Sequence, residues 1–299
     1  MNQNIQDMRN LVSELILPRE VTVELSTRTG VVSLDYQLGG GLPAGAVEIY
    51  GEGSVGKTSL LYEILATAQK QGRDVALCAS EYVDIPYMRK FNMDLDNLAL
   101  IVGSTGDIVF QASWEFVKDC RRPCVLAIDS ATAFRPEDDS PGRWNQMIEH
   151  YMYDVQHRLP SGSAVIMVNQ VRIKRSVDPD KFFAGETDSA ARKVAGCFAT
   201  RLELSRMEVG EETYTMNINI VANQATPPGR FLSVPFRKGV GVDTMLDLLR
   251  AAVNIGVVKQ DGSWYSYRGD CLGQGETEAS KNLVNASEVA QEVYRQLRI

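Results

Sequence analysis

Residues 51–58 read Gly-Glu-Gly-Ser-Val-Gly-Lys-Thr, which fits the pattern G-x-x-x-x-G-K-S/T, and no other feature restricts the possible folds as tightly. The apolar run 47–50 ahead of it predicts a strand. Behind it, Leu60, Leu61, Ile64, Leu65 and Ala68 recur at helical spacing until Gly72. A strand, a glycine-rich turn and a helix in that order make a cradle for phosphates, because backbone N–H groups turn inward and the helix aims its positive end at the same point. The expected nucleotide contacts are Gly51, Glu52, Gly53, Ser54, Val55, Gly56, Lys57, Thr58 and Ser59. Lys57 bridges the terminal phosphates and Thr58 gives its hydroxyl to Mg²⁺, so ATP with Mg²⁺ is the expected ligand.

Further apolar runs at 75–80, 98–102, 124–129 and 164–169 alternate with helical patterns. That rhythm predicts an α/β fold with a mainly parallel central sheet. Residues 214–221 set Met216, Ile218 and Ile220 against Asn217 and Asn219, the alternation of a late strand with one wet face, for which antiparallel pairing is plausible. A boundary is expected near residue 240. Beyond it, helical patterns at 245–255 and 286–297 flank a turn-rich stretch at 261–275, which reads as a small α/β C-terminal domain spanning 241–299. Ahead of the core (31–240), residues 2–17 form one amphipathic helix ended by Pro18, folded onto its own domain or docked on a neighbouring subunit.

In an open parallel sheet, the residues that end the strands reach the ligand crevice. Asp129 ends one such run and is expected in the Mg²⁺ shell, or else caps a helix. Glu81 follows the strand at 75–80 and is the candidate general base. Gln170 follows the strand at 164–169, where an amide senses the terminal phosphate or merely begins a loop.

The 31 Lys and Arg against 38 Asp and Glu give a net charge of -7, which counts against a generic polyelectrolyte binder, so any nucleic-acid site must be local. Five cysteines, two of them inside apolar runs, fit a reducing compartment. With no apolar stretch near eighteen residues and a polar N-terminus, the expected location is the cytoplasm, with no membrane partner.

Taken together and in order, these segments resemble the RecA recombinase family, in its bacterial and phage branch, with this chain as a divergent member. The lead-in Ser-Leu-Asp-Tyr-Gln-Leu-Gly-Gly-Gly-Leu-Pro-Ala-Gly at 33–45, the segment around Glu81, Asp84 and Tyr87, and Val-Asn-Gln-Val-Arg-Ile-Lys at 168–174 carry the likeness. So does Ser-Trp-Tyr-Ser-Tyr-Arg-Gly-Asp-Cys-Leu-Gly-Gln-Gly at 263–275, which is close to the bacterial-type C-terminal domain.

The resemblance implies that Glu81, Lys57 and Gln170 serve ATP hydrolysis, that Tyr87 stacks on adenine and that Asp84 helps recognise the base. It implies a first DNA loop at 134–144 and a second at 171–193, where Arg172, Lys174, Arg175, Lys181 and Arg192 meet phosphates and Phe182 and Phe183 wedge between bases. Without the resemblance, 171–193 reads as a solvated charged loop. The activity implied is a DNA-dependent ATPase forming helical filaments on single-stranded DNA and exchanging strands with a duplex.

The chain departs from the family where two lysines normally reach a neighbour's nucleotide. Ala222 and Gln224 stand there, with Arg230, Arg237 and Lys238 as nearby cations. That departure keeps open a filament or regulatory protein with weak or no hydrolysis, and a ring-forming DNA motor shares the same core.

Overall fold

The computed structural model describes residues 26–80, 83–103, 105–138, 140, 142–170, 172–173, 187–188, 194–283 and 286–297. The amphipathic segment expected at 2–17 lies outside them.

Strand β1 (Gly45–Gly51) lies at the centre of a nine-stranded sheet. It pairs in parallel with β5 (Ala164–Gln170) on one side and with β8 (Thr200–Glu208) on the other. Beyond β5 come β4 (Cys124–Asp129), β2 (Asp74–Ala79) and the edge strand β3 (Leu98–Val102), all parallel. Beyond β8, the strands β9 (Thr213–Ala222), β10 (Arg230–Arg237) and β11 (Gly241–Val242) continue antiparallel. The large sheet therefore runs through residue 242.

The parallel strands are apolar on both faces because helices cover both. Val47, Ile49, Leu77, Ala127 and Val168 pack with helices α1 (Val32–Leu38), α2 (Lys57–Lys70) and α3 (Ile85–Arg89). Ala76, Cys78, Ile128 and Met167 pack the other way, with α4 (Gly106–Asp119) and α5 (Arg143–Arg158). Leu60, Leu61, Ile64 and Leu65 of α2 are fully buried, as their spacing predicts. Each such side chain contributes roughly 1.5–3 kcal/mol of transfer free energy, an upper bound on its effect.

The stretch 134–144, expected as a DNA loop, is anchored at both ends. Phe134 is completely buried against Phe110, and the Trp144 indole N–H donates to the Ala131 carbonyl. Among the described residues, no helix is long and apolar enough to cross a membrane.

After the large sheet, α6 (Thr244–Asn254), a three-stranded antiparallel sheet of β12 (Lys259–Asp261), β13 (Trp264–Tyr267) and β14 (Asp270–Gln274), α7 (Glu276–Lys281) and α8 (Ala286–Leu297) share a separate core. Two buried carboxylates tie this core to α1. Asp247 accepts from the backbone N–H and hydroxyl of Ser33 at 3.0 and 2.5 Å. Asp35 accepts from Thr29 and, at 2.9 Å, from the Tyr294 hydroxyl of α8, whose ring lies under the Arg28 guanidinium.

Burial pushes the Asp35 carboxyl up to about 6, against the pull of the Thr29 and Tyr294 hydrogen bonds. A carboxyl that holds its proton more tightly when folded stabilises the fold fully below about pH 4, and that stabilisation is lost as pH rises through about 6. Removing the titration with Asp35→Asn should make the variant gain on the wild type by about 2 kcal/mol between pH 4 and pH 7. Urea unfolding at a series of pH values measures that difference; a gap independent of pH would refute it.

Candidate active site

The phosphate loop leaves the carboxyl end of β1 between β5 and β8, and α2 starts at Lys57. Gly56 sits at φ +93°, where a Cβ would lie 2.6 Å from Met216 Cε and 2.9 Å from the Phe236 ring and from the Tyr214 hydroxyl. Only glycine fits a backbone pressed that closely. Val55 is buried in the core, and Ser54 is left-handed at φ 59°.

The Lys57 ammonium donates to the carbonyls of Gly51 (3.0 Å) and Glu52 (2.5 Å). Burial pulls it below the usual lysine range, and Asp129 opposes that shift. A partly desolvated cation held inside the loop is well placed to take phosphate oxygens.

The Thr58 hydroxyl donates to Asp129 Oδ2 at 2.7 Å, joining the start of α2 to the end of β4. A hydroxyl and a carboxylate side by side form the sparse hard-oxygen set that Mg²⁺ takes when phosphates and water complete its shell. Among the described residues there is no group of three or more His, Cys, Asp or Glu that would make a protein-only metal cage.

Gln170 ends β5, opposite Gly51, and lines a cavity of about 250 Å³ with Thr58, Ala79, Ser80, Val83, Asp129 and Ser130. Its amide nitrogen hangs over Gly53, 3.1 Å from where a Cβ would stand. Two residues later, β6 (Arg172–Ile173) pairs antiparallel with β7 (Thr187–Asp188). The fold thus joins the amide at the phosphate loop to the root of the segment expected to bind DNA.

A second cavity, about 390 Å³, also reaches Thr58 and is lined by Ser59, Tyr87, Arg206, Tyr214, Phe236 and Lys238 together with the loop. The Tyr87 hydroxyl bonds Ser59 Oγ at 2.7 Å, and its ring meets Phe91 edge-on. Asp84 lines neither cavity; its Oδ1 caps α3 by accepting from the Tyr87 N–H.

Of the other residues singled out in the sequence, Glu81 and Lys174, Arg175, Lys181, Phe182, Phe183 and Arg192 lie outside the described residues, and Arg172 is placed by its backbone alone in β6. The sequence reading did not connect Arg206, Tyr214 and Phe236 with the site. Their signal was the alternation along β8, β9 and β10, but their place beside the loop depends on non-local strand pairing.

Two family models cover almost the whole chain, the RecA N-terminal domain over residues 10–243 and the RecA C-terminal domain over residues 246–299. The chain belongs to the RecA family. Proteins named Protein RecA are similar along most of their length. The one from Aquifex pyrophilus is 32% identical over 93% of this chain and 84% of its own, and the one from Bartonella quintana is 32% identical over 94% and 85%. That of Brucella canis is 33% identical over 92% and 80%.

Within this RecA-family chain, Ala222 ends β9 opposite Arg201, at the amino-terminal end of β8, whereas the phosphate loop leaves the end at which Gly51 faces Leu204. Ala222 is thus level with Glu48 in the middle of β1, three residues short of the level at which the phosphate loop leaves, and the chain runs on to Gln224 away from its own loop. Arg230 is occupied by Gln37, and Arg237 by Asp243.

Proposed function

We propose that this chain is an ATP-dependent DNA recombinase, whose subunits bind ATP and Mg²⁺, assemble head to tail on single-stranded DNA and pair it with homologous duplex. The observation that carries the reading is the run from Lys57 through Thr58 and Asp129 to Gln170, two residues before the strand near the start of the 171–193 segment.

In this reading Lys57, with the backbone of residues 51–56, holds the phosphates. Thr58 and Asp129 hold Mg²⁺, which when bound neutralises phosphate charge and orients the terminal phosphoryl group. Glu81 takes the proton of the attacking water, and Gln170 reports the terminal phosphate to the DNA segment. Tyr87 stacks on the base, and Asp84 stands beside it. Arg172, Lys174, Arg175, Lys181 and Arg192 meet DNA phosphates, with Phe182 and Phe183 stacked on bases. The location that follows is the cytoplasm.

Glu81→Gln should lower kcat for ATP by roughly 100- to 10,000-fold, the usual contribution of a positioned base, while ATP affinity stays within about 3-fold. Unchanged turnover would remove Glu81 from that role.

A second reading, which the RecA-family matches do not favour, rests on Ala222 and Gln224, which offer no charge to another subunit's nucleotide. There ATP acts as an assembly ligand and is hydrolysed slowly or not at all. Measuring ATP hydrolysis and homologous strand exchange with and without single-stranded DNA separates the two. DNA-stimulated hydrolysis with exchange supports the recombinase, filaments without hydrolysis support the second reading, and DNA-independent hydrolysis without exchange sinks the first.

A further inference from the structure

We infer that Arg206 and Lys238 form a cationic wall, within one subunit, that holds the phosphate nearest the nucleoside of its own bound nucleotide. The inference rests on the reading of residues 51–58 as the nucleotide site and adds residues to it.

Thr58 lines both cavities. That containing Asp129, Ser130 and Gln170 has the carboxylate and hydroxyl suited to Mg²⁺, and so belongs to the reacting end of the triphosphate. The other, with Tyr87, Tyr214 and Phe236, presents aromatic surface suited to a base and sugar. A nucleotide threaded past Thr58 places its terminal phosphate in the first and its nucleoside end in the second. Arg206 and Lys238 line the second.

Both cations are held in place. Arg206 Nη1 donates to the Ser54 carbonyl of the loop at 3.0 Å, and its guanidinium lies 5.7 Å from the Tyr214 ring centroid. That ring stacks on Phe236 at 4.4 Å, and the pair closes on Gly56. One carboxylate, Glu208, serves both cations at 3.1 Å each, Arg206 through Nε and Lys238 through Nζ. Two positive charges on one negative leave the group cationic where it faces the cavity.

Half-exposed ion pairs of this kind stabilise a fold little. An arginine fixed to the phosphate loop with donors to spare is suited to a phosphate oxygen. Contacts at the nucleoside end are the same before and after the terminal phosphoryl leaves, so they affect binding and not the chemical step.

The test is equilibrium binding of ADP and ATP, by displacement of a fluorescent ADP analogue, to the full chain and to Arg206→Gln and Lys238→Gln, with kcat at saturating ATP. Each variant should bind ADP and ATP roughly 10-fold more weakly and by equal factors, which is about 1.4 kcal/mol, with kcat within about 2-fold. Glu208→Gln, which frees both cations, should bind both nucleotides roughly 3-fold more tightly, a gain that damage to the fold would not produce. Arg237→Gln, whose guanidinium pairs with Asp243 instead, should leave binding unchanged.

Unchanged ADP affinity in both Gln variants overturns the inference alone, provided Lys57→Ala abolishes binding. So does a fall in kcat with ADP affinity intact, which would move the cations to the reacting end. If the wild type binds neither nucleotide, the reading of the site falls as well.

Discussion

Lys57→Ala should bind ATP roughly 100-fold more weakly or worse, a loss of about 2.7 kcal/mol, and show no measurable hydrolysis while remaining folded. The fold should survive because the side chain contributes two hydrogen bonds to carbonyls of its own loop, and alanine is at least as good a helix former at the start of α2. The binding loss is large because the ammonium is already held within the loop and partly stripped of water. A displacement titration with a fluorescent nucleotide checks the first part, and circular dichroism melting the second. Near wild-type ATP affinity would mean that these glycines cradle something else.

Glu48→Ala should destabilise the protein by about 3–5 kcal/mol, the usual result of removing one partner of a buried ion pair. Glu48 is fully buried on β1 and accepts from Arg201 Nε of β8 at 2.7 Å and from the Asn169 amide of β5 at 2.6 Å. Burial raises its carboxyl above the ordinary range, against the pull of Asn169 and Arg201. Without the carboxylate, the Arg201 charge and the Asn169 amide lose their partner, and the Asn169 carbonyl oxygen already lacks one.

The bridge spans the three strands that converge on the phosphate loop, and Asn169 directly precedes Gln170. Activity should therefore fall along with stability. Urea denaturation measures the first loss. A double-mutant cycle with Arg201→Ala isolates the coupling, and a coupling near zero would contradict the account.

The core of the fold was legible where the physics is local. The five parallel runs and α2 are apolar over lengths that only buried strands and one helix stripe produce, and the phosphate loop needs glycine wherever its backbone turns. The alternation of residues 214–221 likewise foreshadowed β9, which spans Thr213–Ala222 and pairs antiparallel on both sides.

What was not legible depends on chain segments far apart in sequence. Strand β8 alternates Leu202 and Leu204 with Arg201, Glu203 and Ser205, yet nothing local says that it lies beside β1. Helix α1 was read as a lead-in segment and not as a helix. The pattern of residues 261–275 showed turns, but not the antiparallel sheet they connect. Phe134, grouped with a DNA loop by the family resemblance, is held by Phe110 of α4, a contact across 24 residues that sequence spacing does not display.

The phosphate loop leaves the carboxyl end of β1, while the chain leaves β9 at the Ala222–Gln224 corner in the opposite direction, towards the amino ends of the parallel strands. Stacked loop to corner, such subunits would form a polymer with chemically distinct tips, one presenting an uncovered nucleotide cleft and the other a corner with nothing to cover. Every subunit except the one at the cleft-exposing tip would have a completed cleft, so nucleotide exchange would be fastest at that tip. Growth and loss of subunits would then be directional, with the tip that exposes its cleft setting the lifetime of the whole polymer.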